Sequence, residues 1–391
     1  MKILLLTAYF PPDLSAGSFR CEALAAALGR ADEVHVVTAQ PHRYASHTAS
    51  APNHQVLGRV TIHRVPVRSH DGSMFSQARS YLDYAVGALR YVHRQDYDVV
   101  FATSSRLFTG VLGAVIATWK RRPLYLDVRD IFVDTLKDVL TRRAFFLVRP
   151  FATLLERFAI SRATTINLVS QGFEDYFRNR YPGEHFTFLT NGIDDYFVGA
   201  PVRTQGRKSI PANIVYAGNI GEGQGLEHII PAAARRLEGQ AIFSIYGEGA
   251  RRPALERNCA LAGVQNVLLQ PPVPRHRLLE VYESCDALLV HLNAYDAFLK
   301  VLPSKIFEYG ALGKPIIAGV AGYSVQFLRE HLPDATVFEP RDVEGLVTAV
   351  KGLTEESPNL DRTVFVAKFR RDAISEQIAQ GVRRIADTSA E

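Results

Sequence analysis

The sequence predicts an α/β protein made of two doubly wound domains, each built on a parallel sheet. Three observations lead to this prediction. The strands read as continuous apolar runs, which is typical of strands buried on both faces. These runs alternate with segments of helical periodicity. The whole pattern also begins twice, once at residues 3–8 and again at Asn213.

In the first half, the apolar run ILLLTA is followed by the loop YFPPDLSAGS and by FRCEALAAALGR, whose alanines and leucines recur at helical spacing up to Gly29. The elements expected after these are strands at 34–38 and 60–67, a helix at 77–93, the strand DVVFATS, a helix at 109–118 and the strand LYLDV. This order predicts the first parallel sheet.

The second half repeats the scheme with the strand NIVYAGN, the glycine-rich loop IGEGQG and the helix LEHIIPAAARRL. The later elements are the strands AIFSIYG, NVLLQ and DALLVHL and the helices RRPALERNCALAG and RHRLLEVYESC. The segment GAPVRTQGRKS has no periodicity and indicates a linker. We therefore predict an N-terminal domain at 1–195, a linker at 196–211, a C-terminal domain at 212–370, and a helix at 371–391 that packs back on the N-terminal domain.

Composition restricts the class of protein. The 391 residues are 47% hydrophobic and 22% charged, enough for two globular domains. The net charge of +5 permits an anionic ligand and does not require nucleic acid. Three cysteines without a C-x-x-C pair suit buried thiols in a reducing compartment. No apolar run is long enough for a signal peptide or a membrane span, so we expect a cytoplasmic protein with peripheral membrane contact at most.

In proteins of this architecture, ligands bind at the carboxyl ends of the strands, here in a cleft between the two domains. In the first domain, Gly17 lies where the backbone could approach a phosphate at a helix amino end; the alternative is a simple crossover loop. In the second domain, Gly218, Gly221, Gly223 and Gly225 crowd a strand-to-helix turn but do not form G-x-G-x-x-G. A dinucleotide dehydrogenase is therefore disfavoured.

Other candidate motifs are less informative. Asp96 and Asp98 form a D-x-D pattern, but Asp98 leads into the amino end of a strand, away from the expected site, so we predict no metal. The motif DVRD, residues 127–130, follows a strand at its carboxyl end. We favour a substrate contact for Arg129 and Asp130; the alternative is an Arg–Asp pair that pins two loops.

The stretch KVLPSKIFEYGALGKPII, residues 300–317, is the strongest element. Pro303 suits a first helical turn, and Gly310 and Gly313 suit its end. Lys305 and Glu308 are three residues apart and so share one face. A lysine at a helix amino end is unfavourable towards the dipole unless an anion is present, which indicates a bound diphosphate. The alternative is a surface Lys–Glu pair.

Together these segments resemble retaining glycosyltransferases of family 4, which have the GT-B fold. The closest likeness is to the L-fucosamine transferase-like subgroup of bacterial surface-polysaccharide enzymes. The resemblance covers nearly the whole chain through FPPDLSAGSFR, LDVRDIF, TNGID, YAGNIGEGQGLEHII, GEG and PSKIFEYGALGKPII. It implies two facing Rossmann-like domains, a UDP-sugar donor such as a UDP-N-acetylhexosamine or deoxy-aminosugar, and no cofactor or essential metal.

The resemblance also implies roles for individual residues. Gly17 would close on the diphosphate, Glu308 would bind the ribose hydroxyls, and Lys305 would stabilise the leaving diphosphate while Asp130 orients the acceptor. The remaining nucleotide-sugar contacts implied are Gly218, Asn219, Gln224, Glu248, Gly249, Pro272, Val273, Lys300, Pro303 and Ser304. Two positions depart from the family pattern. Lys300 replaces the first glutamate of E-x7-E, and Gln224 replaces a basic residue, so Lys305 helped by Lys300 would supply the missing charge.

The acceptor is less well defined. The subgroup likeness implies a saccharide carried on a polyprenyl diphosphate. A predicted helix at 139–160 mixes Arg142, Arg143 and Arg149 with phenylalanines, a pattern suited to an anionic membrane surface or to an ordinary packed helix with a basic edge. Two alternative functions also remain open, a UDP-sugar 2-epimerase of the same fold and a non-catalytic nucleotide-binding partner of a transferase complex.

Overall fold

The computed structural model describes residues 1–41, 51–68, 74–104, 107–199, 210–353 and 360–388. The chain forms two compact units. Unit 1 contains Met1–Gly192 and Arg371–Glu391, and unit 2 contains Ile193–Arg370. Both are α/β units built on sheets that are parallel or nearly so, so the predicted fold class is confirmed.

Unit 1 holds an eight-stranded sheet in the order β3-β4-β2-β1-β5-β6-β7-β8. Its strands are β1 Lys2–Leu6, β2 Glu33–Ala39, β3 His54–Leu57, β4 Val60–Val65, β5 Val99–Thr103, β6 Leu124–Val128, β7 Thr165–Leu168 and β8 Phe186–Thr187. Its helices are α1 Ala16–Gly29, α2 Met74–His93, α3 Leu107–Lys120, α4 Phe132–Val139, α5 Arg142–Arg162, α6 Glu174–Arg180 and α14 Arg371–Asp387. All pairings in this sheet are parallel except that of β3 with β4.

The C-terminal helix α14 packs against α1. Ile378, Ala379 and Val382 are buried in one core with the residues of β1 and α1. The two segments of unit 1, which are far apart in sequence, therefore share a single hydrophobic core.

Unit 2 holds a six-stranded parallel sheet in the order β11-β10-β9-β12-β13-β14. Its strands are β9 Ala212–Ala217, β10 Ala241–Tyr246, β11 Val267–Gln270, β12 Ala287–His291, β13 Ile316–Gly319 and β14 Thr336–Phe338. Its helices are α7 Leu226–Arg236, α8 Arg252–Ala262, α9 Arg275–Glu283, α10 Lys305–Gly310, α11 Tyr323–His331, α12 Val343–Lys351 and α13 Thr363–Phe369. The strand order changes direction between β9 and β12, which is where ligands bind in sheets of this kind.

Two predicted boundaries need correction, and the predicted linker lies largely outside the described residues. The first unit ends at Gly192 rather than at residue 195, because Ile193 and Phe197 are fully buried in the core of unit 2. Of the predicted linker 196–211, residues 200–209 lie outside the described residues. The helix predicted at 139–160 is interrupted at its start. Leu140 is extended and Thr141 caps α5 by accepting a hydrogen bond from Ala144 N, so α4 and α5 are separate helices.

Within the described residues, no helix is long and apolar enough to cross a membrane.

All three cysteines are buried and free, as predicted. Burial raises the pKa of Cys21 to about 11 and that of Cys285 to about 12, so both thiols stay protonated near neutral pH.

Candidate active site

In unit 2, a glycine-rich loop connects β9 to α7 at the carboxyl edge of the sheet. The side chain of Gln224 organises this loop, because its Oε1 atom accepts hydrogen bonds from Asn219 Nδ2 at 2.9 Å and from Gly221 N at 3.2 Å. Gly225 has φ +58°, a left-handed conformation that favours glycine, and is the N-cap of α7. The backbone conformation at position 225, where the loop leads into the helix, therefore favours glycine.

The Gly247-Glu248-Gly249 turn after β10 lies directly against this loop. Gly218 N donates to Tyr246 O at 2.9 Å, and Ile220 N donates to Glu248 O at 2.8 Å. A Cβ atom on Gly247 would lie only 1.8 Å from Gly218 O, so the two backbones could not approach so closely with any other residue. The structure thus brings the predicted residues Gly218, Asn219, Gln224, Glu248 and Gly249 together.

Two side chains at the carboxyl end of β12 form hydrogen bonds with backbone carbonyls of the glycine-rich loop. His291 Nδ1 lies 2.6 Å from Gln224 O, and Asn293 Nδ2 donates to Glu222 O at 2.9 Å. Burial lowers the pKa of His291 to about 4, so the ring is neutral and its Nδ1–H donates to the carbonyl while Nε2 accepts from Arg341 N. Sequence reasoning missed His291 and Asn293, although polar residues at the end of an apolar strand were a usable signal.

The predicted short helix in the stretch 300–317 is α10. Lys305 Nζ donates to Glu308 Oε2 at 2.8 Å, so the two residues that share a helix face form an ion pair. Glu308 is buried, whereas a quarter of the Lys305 side chain is exposed (25%). A Cβ atom built on Gly218 would lie 3.5 Å from Lys305 Cε, which places the lysine beside the glycine-rich loop.

Tyr282, on α9, holds this ion pair from the protein interior. Its hydroxyl group lies 3.4 Å from Glu308 Oε2 and 3.5 Å from Lys305 Nζ, and its side chain is fully buried. Burial raises the pKa of Tyr282 well above its ordinary value, so the hydroxyl stays protonated and donates to the carboxylate. Tyr282 was not among the predicted residues, since nothing in the local sequence distinguishes it from an ordinary core tyrosine.

The other predicted residues of unit 2 lie in the adjoining loops. Pro303 precedes the N-cap Ser304 rather than occupying the first helical turn, which corrects the sequence prediction. Lys300 is partly buried and ends a 3₁₀ helix, Asp296–Lys300, just before this segment. Pro272 and Val273 are partly buried and follow β11, the strand beside β10.

In unit 1, a buried ion pair lies at the carboxyl end of β6. Arg20 donates from Nε and Nη2 to the two carboxylate oxygens of Asp127 at 2.9 and 2.8 Å, and Asn167 Nδ2 donates to Asp127 Oδ1 at 2.8 Å. Burial opposes ionisation of Asp127, but Arg20 and Asn167 outweigh it and keep the pKa of this carboxyl below its usual range. Arg20 also donates to the carbonyls of Leu189 and Thr190. The pair that pins two segments is therefore Arg20 with Asp127.

Arg129 lies next to this pair and beside the amino end of α1. A Cβ atom on Gly17 would lie 3.7 Å from Arg129 Nε, and Arg129 Nη2 donates to Asn191 Oδ1 at 3.4 Å. Burial and the charge of Arg20 both lower the pKa of Arg129, which nonetheless remains charged. Within the described ranges, its buried Nη1 atom has no hydrogen-bond partner. The structure thus brings the predicted residues Gly17 and Arg129 together.

Asp130, the other predicted catalytic residue of unit 1, is exposed and borders a small cavity. The wall of this cavity also contains Glu156, which is buried and accepts hydrogen bonds from Tyr176 and Tyr181. Burial raises the pKa of Glu156. Neither Glu156 nor its tyrosine partners were predicted, because their partnership joins α5 to a later segment.

The D-x-D pair lies at the opposite edge of the sheet of unit 1. Asp98 Oδ2 accepts from Lys2 N at 2.7 Å, and Asp96 lies 3.5 Å from Lys120 Nζ. In the part of the chain that the structure describes, no group of three histidine, cysteine, aspartate or glutamate residues is arranged to hold a metal ion.

Comparisons with known proteins agree with this architecture. Residues 17–192 match the family model "Glycosyl transferase 4-like domain", and residues 203–369 match "Glycosyl transferases group 1". A curated relative is WcaI of Escherichia coli (strain K12), named as a colanic acid biosynthesis glycosyl transferase. It is 26% identical over 382 residues, which cover 90% of this chain and 91% of WcaI.

Two solved structures show the same fold at low sequence identity. HepE of Anabaena in complex with UDP and glucose has a TM-score of 0.69 and 16% identity, over 98% of this chain and 99% of HepE. WaaG, described as a glycosyltransferase involved in lipopolysaccharide biosynthesis, has a TM-score of 0.70 and 16% identity, over 97% of this chain and 99% of WaaG.

The two matched models identify a glycosyltransferase, and the two Rossmann-like units give it the GT-B fold of the solved structures. The two matched models cover most of the chain. The chain therefore belongs to the glycosyltransferases of family 4.

Proposed function

We propose that this glycosyltransferase transfers a sugar from a UDP-sugar to a saccharide carried on a polyprenyl diphosphate, in the synthesis of a bacterial surface polysaccharide. The donor we favour is a UDP-N-acetylhexosamine or a UDP-deoxy-aminosugar. The observation that carries the proposal is the position of Lys305 beside Gly218 of the glycine-rich loop, where a Cβ atom on the glycine would lie 3.5 Å from Lys305 Cε. The names of WcaI and WaaG support the pathway, and the UDP in HepE supports the nucleotide.

The donor diphosphate would bind at the glycine-rich loop. Gln224 accepts two hydrogen bonds through Oε1, and its Nε2 group has no partner within the described residues. This orientation leaves the amide hydrogens to donate to a phosphate oxygen. Gln224 would then supply a neutral donor where family members carry a cation, and Lys305 would supply the charge.

Lys305 would stabilise the leaving UDP. Breaking the bond between the sugar and the phosphate develops negative charge on the diphosphate, and one fixed donor aimed at such charge can lower the barrier by about 3 kcal/mol. Glu308 holds the ammonium group at 2.8 Å, so the lysine is oriented before the substrate arrives. Glu308 would also accept hydrogen bonds from the ribose hydroxyls, and Lys300 would add positive charge near the donor.

The groups of unit 1 would act on the transferred sugar and the acceptor. Arg129 offers a partly buried cation beside Gly17, and within the described residues its buried Nη1 atom has no hydrogen-bond partner, so it would donate to a phosphate or a sugar oxygen. The exposed carboxylate of Asp130 would orient the acceptor hydroxyl. We infer retention of anomeric configuration, with the acceptor proton passing to the leaving phosphate oxygen. We also infer that the reaction needs no divalent metal, because Lys305 and the loop amides carry the neutralising role.

The experiment is a transfer assay with a panel of UDP-sugars and polyprenyl-diphosphate saccharides, in which mass spectrometry detects the product and NMR assigns its anomer. The expected result is transfer from one UDP-sugar with retention, at a rate that a metal chelator does not change. Binding of UDP without turnover of any pair would instead favour a non-catalytic partner. Release of an epimerised sugar without an acceptor would favour the 2-epimerase, and an inverted product would refute only the proposed mechanism.

A further inference from the structure

One face of unit 1 concentrates the apolar surface of the protein. More than half of the large hydrophobic side chains that are exposed in the described residues lie on α2, α3 and α5. The most exposed of them are Leu82, Trp119, Phe146, Leu147, Phe151 and Leu154. A soluble surface normally scatters such side chains singly, so their concentration on three helices indicates an interaction surface.

The three helices lie side by side on the same face of the sheet. Their connections β4-α2-β5, β5-α3-β6 and β6-α5-β7 all step in one direction along the strand order, and right-handed crossovers then place them on one face. Direct contacts join them. The rings of Tyr81 and Phe108 are 5.3 Å apart, and Arg162 Nε donates to Thr118 Oγ1 at 3.0 Å. By contrast, α1 and α14 cover the opposite face with a shared core.

Helix α5 combines this apolar surface with positive charge. Leu147, Phe151 and Leu154 follow the i, i+4, i+7 spacing of one helix face, and Leu147 is 81% exposed. The helix carries arginines at positions 142, 143, 149, 157 and 162 and a single acid, Glu156. That acid is buried against Tyr176 and Tyr181, so the outer surface of α5 presents cations without an exposed carboxylate.

The neighbouring helices extend the same pattern. An open groove of about 1000 Å³ runs along α2 and α3, with apolar walls that include Val115 and Trp119. The basic residues Arg90 and Arg94 also line this groove. Lys120 Nζ lies 5.1 Å from the ring of Trp119. Here too, apolar side chains are exposed next to cations.

We propose that the face formed by α2, α3 and α5 docks on an anionic lipid bilayer. Apolar side chains would enter the boundary between head groups and acyl chains, and the arginines would bind the phosphate head groups, each cation contributing about 1 kcal/mol. The charge decides between occupants, because two copies of this face would bring their arginines together. The inference rests on the proposed function in one respect, since a polyprenyl-linked acceptor lies in a bilayer, and it does not depend on the identity of the donor.

Vesicle binding of the full chain tests this surface. The probes are phosphatidylglycerol-containing vesicles and pure phosphatidylcholine vesicles, compared by co-sedimentation at low and high ionic strength. The expected result is binding to the anionic vesicles that weakens as salt screens the charges. A Leu147→Ser/Phe151→Ser/Leu154→Ser variant should lose binding by about tenfold or more, since each exposed side chain gives up the energy of apolar burial.

A matched control variant and a check of folding keep the test decisive. Leu261→Ser changes a residue of α8 in unit 2 that is 80% exposed, and it should bind vesicles like the unchanged protein. Thermal unfolding of every variant checks that folding is intact. Trp119 is the only tryptophan in the sequence, so its fluorescence reports on α3, and we expect a blue shift when anionic vesicles are added.

Failure of the unchanged protein to bind anionic vesicles would overturn the proposal, as would equal binding by the triple variant. A dimer that dissociates in the triple variant, with no vesicle binding, would identify a second copy of the chain as the occupant. Unchanged Trp119 fluorescence on bound vesicles would remove α3 from the surface. None of these outcomes depends on transfer activity, so a failure of the proposed function can be distinguished from a failure of bilayer docking.

Discussion

Lys305 and Glu308 form an ion pair one helical turn apart, with Nζ and Oε2 separated by 2.8 Å. The carboxylate neutralises part of the charge that a donor diphosphate would meet, and it also orients the lysine. The sequence alone predicted that the two groups share a face; the structure adds that they contact each other and the hydroxyl group of Tyr282. Glu308 should therefore have two opposed effects on the binding of a UDP-sugar. It weakens the attraction of Lys305 for the diphosphate, and it accepts hydrogen bonds from the ribose hydroxyls.

The substitution Glu308→Gln separates these effects. It should strengthen binding of inorganic diphosphate, because Lys305 loses its neutralising partner, and weaken binding of uridine, because the ribose hydroxyls lose a charged acceptor. A change of about tenfold is expected for each, the usual size for a charge-assisted hydrogen bond. Isothermal titration calorimetry with the two ligands measures both constants. Equal losses for both ligands would indicate general damage to the site.

Gly17→Ala tests the approach of a ligand to the amino end of α1. The new methyl group would meet Arg129 Nε at 3.7 Å, an ordinary contact, and alanine is favoured in a helix by roughly 0.5–1 kcal/mol. We therefore expect unchanged or higher thermal stability together with a loss of transfer activity. Thermal unfolding and steady-state kinetics check the two halves of this prediction. Full activity in the variant would show that no ligand approaches Gly17.

The buried pair of Arg20 and Asp127 should be the most important polar contact for the stability of unit 1. Arg20→Ala leaves a buried carboxylate without its partner and should destabilise the fold by about 3–5 kcal/mol. Arg178→Ala is the matched control, since its exposed pair with Glu174 contributes about 0–1 kcal/mol. Urea unfolding followed by circular dichroism compares the variants. Similar losses in the free energy of unfolding for Arg20→Ala and Arg178→Ala would contradict the importance assigned to the buried pair.

The same pair sets a dependence on pH. The folded pKa of Asp127 is depressed, so its contribution to stability is fully present above the unfolded value of about 3.9 and is lost as the pH falls below it. The contribution of His291 to stability changes over a higher pH range. Its folded pKa of about 4 lies below the unfolded value of about 6.5, so the unfolded chain binds the extra proton and stability falls as the pH drops from about 6.5 to 4.

His291→Asn should therefore flatten the pH dependence of stability between about pH 4 and about pH 6.5. The melting temperature of the variant will be lower at pH 7, because the hydrogen bond to Gln224 O is weakened, but it should fall less on acidification. Melting curves for both proteins across this range provide the measurement. The other histidines are common to both proteins, so the difference between the curves belongs to His291, and parallel curves would contradict its assigned pKa.

Features with a local signature were predictable from the sequence. The apolar strands, the glycine-rich loop before α7 and the shared face of Lys305 and Glu308 all follow from spacing within a few residues. The strand β3 was missed because it is short and its residues are largely exposed. The break before α5 was missed because the apolar pattern runs through Leu140, whose extended conformation depends on the cap at Thr141.

Long-range partnerships could not be predicted in this way. Arg20 and Asp127 are 107 residues apart, and Arg20 appears in the sequence as one polar residue in a largely apolar helix. His291 and Asn293 reach the glycine-rich loop only because β12 lies beside β9 in the sheet. Such contacts depend on strand order, which a single sequence does not specify. The local candidates were therefore identified, whereas the residues that position them were not.

The central claim is that Lys305 binds the donor diphosphate, and the most direct measurement is the affinity of Lys305→Met for UDP compared with uridine. Methionine preserves much of the apolar stem and removes the charge. We expect UDP binding to weaken by about tenfold to a hundredfold, the value of a hydrogen bond to a charged group, while uridine binding stays unchanged. Equal affinity of the variant and the unchanged protein for UDP would contradict the account.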